Sequence, residues 1–180
     1  MSDETIDEQA NSSPKLRLFT ALWPDDATRE ELVRWRDAMA FPAAARPVAK
    51  AKLHLTLHFI GEFPANRVAE LAAALPPMKR AFELRLAQVQ AWRGGLVVFS
   101  PKAAPAALMD LHAEQAAALR RLEVPVEVRT FRPHVTLARD CPVAPRLRGA
   151  VEMRWRVTGH ALMQSTPDGR YQLLERFSLF

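Results

Sequence analysis

From Lys52 to Gly61 the chain reads KLHLTLHFIG, with polar and apolar positions in strict alternation at its start. On an extended strand, Leu53, Leu55 and Leu57 point one way while His54, Thr56 and His58 point the other. The same period of two predicts a strand over 15–22 (KLRLFTAL) and 133–139 (PHVTLAR), and the segments 82–92 (FELRLAQVQAW), 95–100 (GLVVFS) and 124–131 (VPVEVRTF) also read as strands. In AVEMRWRVTGHALMQS (150–165), Val151, Met153, Trp155 and Val157 alternate with Glu152, Arg154, Arg156 and Thr158, which predicts one half-buried strand. The turn TPDG then sends the chain back along RYQLLERFSL.

Between these strands the period lengthens to that of a helix. PDDATREELVRWRDAMA (24–40) offers Asp25 or Asp26 as N-cap, acids in its first turns, and Leu32, Trp35 and Met39 on one face. PANRVAELAAALPPMK (64–79) places Val68, Leu71, Ala72 and Leu75 at helical spacing until Pro76-Pro77 stops it. APAALMDLHAEQAAALRRL (104–122) predicts the third helix. Phe41–Val48 reads as a Pro-containing loop, and Gly94-Gly95 as a hairpin turn. No glycine-rich phosphate loop follows the first strand, so a dinucleotide or P-loop site is disfavoured. The hairpins favour an α+β fold of antiparallel sheets flanked by helices.

Composition changes this picture little. A chain of 180 residues, 49% hydrophobic and 25% charged, has the make-up of a globular domain. The first fourteen residues stand apart: Asp3, Glu4, Asp7 and Glu8 are unopposed by any base, so 1–14 is expected to be a disordered acidic tail before a domain over 15–180. With a net charge of +5 overall, that leaves about +9 on the rest, mostly arginine, which suits a polyanionic partner or a simply solvated basic surface. The one cysteine, Cys141, fits a reducing cytoplasm, and no apolar run approaches membrane-spanning length.

The chemistry lies in a repeat. His54-Leu55-Thr56-Leu57 returns as His134-Val135-Thr136-Leu137, in a strand context of the same parity. Each copy has an apolar back and a front carrying one imidazole and one hydroxyl. If the fronts face one cleft, two histidines can act as acid and base on opposite sides of a phosphorus, since an imidazole titrates near neutrality. Thr56 and Thr136 could then donate to phosphate oxygens, with Arg139 as a further charge donor. A single His-x-Thr would be an ordinary packed strand histidine; two matching copies are not. His58 has only Ala138 as counterpart and is assigned a structural role. On a strand, His54 and His58 stand roughly 13 Å apart, too far for one metal ion, so no metal and no cofactor are expected. His112 and His160 are read as structural, and Trp23, Trp92, Phe99, Phe131 and Trp155 as core aromatics able in principle to stack a base.

These motifs resemble those of the 2H phosphoesterase superfamily, and more closely the RNA 2′,3′-cyclic phosphodiesterases also called 2′-5′ RNA ligases. RLFTALWPDD, KLHLTLHFIG, FRPHVTLAR and LMQSTPDGRYQLLERFSL carry the likeness. The resemblance implies a two-lobed, pseudo-symmetric fold with a central groove. It also implies metal-independent hydrolysis of an RNA 2′,3′-cyclic phosphate to a 2′-phosphomonoester, with reversal to a 2′-5′ linkage. His54 would then be the acid at the departing 3′ oxygen, His134 the base that activates water, and Thr56, Thr136 and Arg139 the phosphate contacts. RNA 3′ ends or nucleotides bearing a cyclic phosphate are the expected partners, and a monomer the expected state. Two alternatives stand beside this reading: a related enzyme for another small cyclic or 2′-5′-linked nucleotide, and a non-catalytic RNA-end binder.

Overall fold

The computed structural model describes residues 13–143, 145 and 151–179. The expected disordered tail falls almost entirely on 1–12, outside the described residues. The chain folds as β1 (Lys15–Leu22), α1 (Asp26–Asp37), β2 (Arg46–Pro47), β3 (Leu55–Pro64), α2 (Val68–Ala74), β4 (Phe82–Trp92), β5 (Leu96–Pro101), α3 (Ala106–Arg121), β6 (Val135–Arg139), β7 (Met153–Val157), β8 (Gly159–Ser165) and β9 (Tyr171–Ser178). The fold is α+β. Asp25 is the N-cap of α1 and accepts a hydrogen bond from the Thr28 amide at 2.8 Å. Gly94 and Gly95, with φ of +83° and +72°, make the β4–β5 turn that a side chain would strain.

All strands join one antiparallel sheet in the order β7-β4-β5-β6-β3-β1-β8-β9, with β2 added beside β6. Its centre is the β3–β6 junction, where the recorded register is the single pair Leu55↔Val135. These are the residues that directly follow His54 and His134. The junction is therefore an approximate two-fold axis, and the sheet reads alike in both directions from it. On one side strand–helix–strand runs β1, α1, β3; on the other, β5, α3, β6.

The helices cross over. Trp35 of α1 packs on Phe99 of β5 with ring centroids 5.8 Å apart, and Leu32 shares a core with Leu84, Leu86 and Val97. The C-terminal part of α3 lies instead against β1 and β3, where Leu119 joins Leu18, Ile60, Leu71 and Leu162. Beneath it runs a buried polar chain. The Thr20 hydroxyl accepts from the His58 amide (3.1 Å) and donates to Gln115 Oε1 (2.8 Å). Gln115 Nε2 meets His160 Nδ1 at 3.1 Å, and His160 Nε2 donates to the Pro76 carbonyl at 2.8 Å.

Three expectations are corrected. Val124–Phe131 forms no strand. The long strand expected over 150–165 is two: β7 pairs with β4 and β8 with β1, in opposite halves of the sheet. The break falls at Thr158-Gly159, where a Cβ on Gly159 would lie 2.7 Å from the Phe177 carbonyl oxygen. Burial changes there too, since His160, Ala161, Leu162 and Met163 are all buried and so covered on both faces. Third, β3 does not alternate throughout. Thr56 pairs with Ala21 and His58 with Thr20, so Leu57 is an extra residue, and Ile60 is another between Phe59 and Gly61. The first bulge turns His58 away from the face of Thr56 and puts Phe59 there instead.

Candidate active site

The groove lies over the β3–β6 junction. It encloses about 420 Å³ and is lined by His54, Thr56, His134, Thr136 and Arg139, together with Arg46, Lys52 and Tyr171. All five residues singled out from the sequence thus meet in one cavity. The register explains why. Continuing the Leu55↔Val135 pairing by one residue each way sets His54 against Thr136 and Thr56 against His134, all on the face opposite the leucines.

The two imidazoles are held alike. His54 Nδ1 donates to the Lys52 carbonyl at 2.6 Å, and His134 Nδ1 to the Arg132 carbonyl at 2.7 Å. In each case a carbonyl two residues back anchors the ring and fixes Nε2 as the atom available for proton exchange. His54 Nε2 lies 2.9 Å from Thr56 Oγ1, a hydroxyl that can donate to the neutral ring or accept from the protonated one. Aromatic rings back both histidines. Trp23 stacks on His54 at 5.7 Å, Phe19 lies at 5.1 Å, and Tyr171 meets it edge-on at 5.3 Å. On the other side Trp92 stands 4.5 Å from His134, with Arg132 over the indole at 4.3 Å.

Burial pushes the His54 imidazole down to about 4 against the pull of the Lys52 carbonyl, and the charges of Arg29, His134 and Arg139 act in the same direction as burial. His134 is also lowered, first by burial and then by Arg132, while its bond to the Arg132 carbonyl opposes the shift.

Arg29 forms no ion pair among the described residues, and the carboxylates of Asp26 and Asp25 act on it only at longer range. Its buried guanidinium donates to the carbonyls of Lys50 (3.0 Å), Leu53 (3.1 Å) and Pro24 (3.2 Å), and lies 4.7 Å over the Trp23 ring. It thereby ties α1 to the short turn Lys50–Lys52 that presents His54.

The structure places the remaining candidates elsewhere. His58 is buried, donates Nε2–H to the His112 carbonyl at 2.9 Å, and stacks on the His112 ring at 4.0 Å. Phe99 and Trp155 are core residues. Tyr171, Arg46 and Lys52 were missed. Tyr171 is the only tyrosine and stands two residues after the TPDG turn, a position that could have drawn attention; Lys52 opens the alternating run and shares the parity of His54, whereas Arg46 lies in a stretch with no periodic signal. Among the described residues no group of three or more His, Cys, Asp or Glu side chains converges as a metal site.

Comparison with known proteins identifies the family. A family model described as LigT-like phosphoesterase matches residues 22–99, which include the first motif. The RNA 2′,3′-cyclic phosphodiesterase of Escherichia coli (strain K12) is 33% identical over 130 residues, covering 71% of this chain and 74% of its own. The chain belongs to the LigT-like phosphoesterase family. A second relative, the RNA 2′,3′-cyclic phosphodiesterase of Thermus thermophilus, is 31% identical and covers 91% of this chain and 90% of its own. Among solved structures, E. coli LigT complexed with 3′-AMP superposes with a TM-score of 0.81 at 32% identity, covering 92% of this chain and 98% of that one. The MHV ns2 PDE domain, at 13% identity and a TM-score of 0.56, shares the fold. No helix of this LigT-like phosphoesterase, among the described residues, is long and apolar enough to cross a membrane.

Proposed function

We propose that this phosphoesterase hydrolyses RNA 2′,3′-cyclic phosphates to 2′-phosphomonoesters by paired-histidine acid–base catalysis, without a metal. One observation carries the reading: two imidazoles, each oriented by a carbonyl two residues back, line a single groove with two threonines and a cationic rim. The names of the two relatives supply the substrate class.

In this mechanism the phosphate monoanion lies between Thr56 and Thr136, with Arg139 at its edge. His134 Nε2 takes a proton from water as the water oxygen attacks phosphorus. The P–O3′ bond breaks in line, and His54 Nε2–H delivers its proton to O3′. The hydroxyls of Thr56 and Thr136 donate to the non-bridging oxygens as their charge grows. If a 5′-hydroxyl replaces water, the same transfers yield a 2′-5′ linkage and a free 3′-hydroxyl. A reducing cytoplasm suits the buried free thiol of Cys141.

The test is hydrolysis of 2′,3′-cyclic mononucleotides and cyclic-ended oligonucleotides in excess EDTA. Turnover should persist, and His54→Ala and His134→Ala should each lower kcat by about 10²–10⁴-fold. Strict dependence on added metal, or a His134→Ala enzyme as active as the parent, would refute the mechanism.

A further inference from the structure

A second cavity of about 490 Å³ opens from the groove beside His134 and shares Thr56 and His134 with it. Ligand sites for small organic molecules fall in this size range. Its walls are unusually flat. His58, His112 and Phe131 form a continuous stack, with ring centroids 4.0 and 3.9 Å apart and interplanar angles of 20° and 7°. Trp92 closes the side toward His134, and Arg132 lies over the indole. The segment 127–132 supplies a rim that includes Arg129 and Thr130, both exposed.

The geometry points to this cavity as a nucleoside subsite for the strand that carries the attacking 5′-hydroxyl. Within the stack His112 lies between His58 and Phe131, so Phe131 keeps the one ring face turned away from it; such a face accepts a base of any identity. Arg129 is paired with Glu127 on the rim, which leaves Arg132 as the guanidinium suited to the phosphate that follows. Position decides which nucleoside. In-line displacement puts nucleophile and leaving oxygen on opposite sides of phosphorus, so whatever sits beside His134 lies on the nucleophile's side. When water attacks, the cavity is a bystander. When an RNA 5′ end attacks, O5′ bonds to phosphorus, the P–O3′ bond breaks, His134 takes the O5′ proton and His54 protonates O3′. The attacking nucleoside then rests against Trp92 and Phe131. The inference rests on the roles proposed above for His54 and His134, and it assigns the joining reaction, and its reversal at a 2′-5′ linkage, a binding site that hydrolysis does not use.

Two measurements separate the subsite from the mechanism. In the first, adenosine is titrated calorimetrically into the full chain with inorganic phosphate saturating the groove. Binding is expected, and Phe131→Ala should weaken it by roughly five- to a hundredfold, the range of one lost base–aromatic stack. Thr130→Trp, a rim change that fills the cavity without touching the core, should weaken it comparably. In the second, both variants are assayed for hydrolysis of a 2′,3′-cyclic mononucleotide and for cleavage of a 2′-5′-linked dinucleotide. Cleavage should suffer while hydrolysis keeps its kcat/KM, which also certifies the fold. No adenosine binding to the parent, or binding indifferent to both substitutions, overturns the subsite whatever the hydrolytic activity. Equal losses in both reactions overturn it as well. Loss of hydrolysis in the parent, with adenosine binding intact, would instead sink the mechanism and leave the cavity standing.

Discussion

At the scale of single residues, the site depends on where two protons are allowed to sit. Burial holds both imidazoles below their ordinary value, His54 at about 4. Catalysis needs one proton on the pair, and both shifts reduce the share of the free groove that carries it near pH 7. The rate constant kcat/KM should therefore rise as pH falls below 7, peak between about 4 and 6.5, and decline again once both rings are charged. A bound phosphate anion favours the protonated ring, so the upper limb of kcat should lie at higher pH than that of kcat/KM. A kcat/KM optimum above pH 7.5 would contradict this. Arg29 offers a second check. Arg29→Met strands the carbonyls of Lys50, Leu53 and Pro24, and hydrogen bonds from a charged group are worth about 1.5–3 kcal/mol each, so a loss of several kcal/mol is expected by denaturant titration. The turn before His54 should loosen with it, and kcat should fall in protein that remains folded. The groove's four motif residues were legible because alternation assigns them a face and repetition assigns them a partner. Arg46 and Tyr171 were not, because they reach the groove from a stretch without periodicity and from a strand distant in sequence. Arg29 lies outside the groove lining and acts on it only through backbone carbonyls, which no sequence pattern marks. Lys52 shares the parity of His54 and Thr56 and could have been read with them.

At the scale of elements, the strand-like runs in the sequence predicted β1, β4, β5 and β6 well, and alternation failed wherever a strand's environment changes along its length. The bulge at Leu57 is set by how β3 must curve against β1, a property of the pair that one strand's sequence does not display. The switch at Gly159 escaped because the residues on either side are equally strand-like and differ only in which neighbour they join. Helix α3 was predicted from its apolar spacing, yet Gln115 on its buried side answers to another need. It connects Thr20 to His160 across three elements. Replacing it by leucine leaves both partners unsatisfied in the interior, at about 1–3 kcal/mol apiece. With roughly 2–4 °C of Tm lost per kcal/mol in a chain this long, Gln115→Leu should lower Tm by about 5–20 °C. Since Gln115 lies on the far side of the sheet from the groove, kcat should not change. A Tm within a degree of the parent would show that the polar chain contributes nothing.

At the scale of the whole molecule, all five histidines are held below their ordinary value, with burial the largest cause for each. The sign follows from proton counting. A depressed pKa means the unfolded chain binds more protons than the folded one at acid pH, so the full stability is present above about pH 6.5 and drains away as pH falls toward 4. Thermal melts from pH 7.5 to 4.5 should show a steady fall in Tm; a flat profile would contradict it. The catalytic optimum and the loss of stability thus share one pH window.

The crossed helices carry a last consequence, for how the molecule can be cut. The likeness of its two sides invites cutting it into a pair of units, yet each side's helix roofs the other's strands. A fragment ending in the β4–β5 turn would carry α1 with β5 missing beneath it, and β1 and β3 without the cover of α3. Neither fragment is expected to give a cooperative melt alone. Mixed together, they should recover one, because what the polypeptide inherits as two similar lengths it can fold only as an interlaced whole.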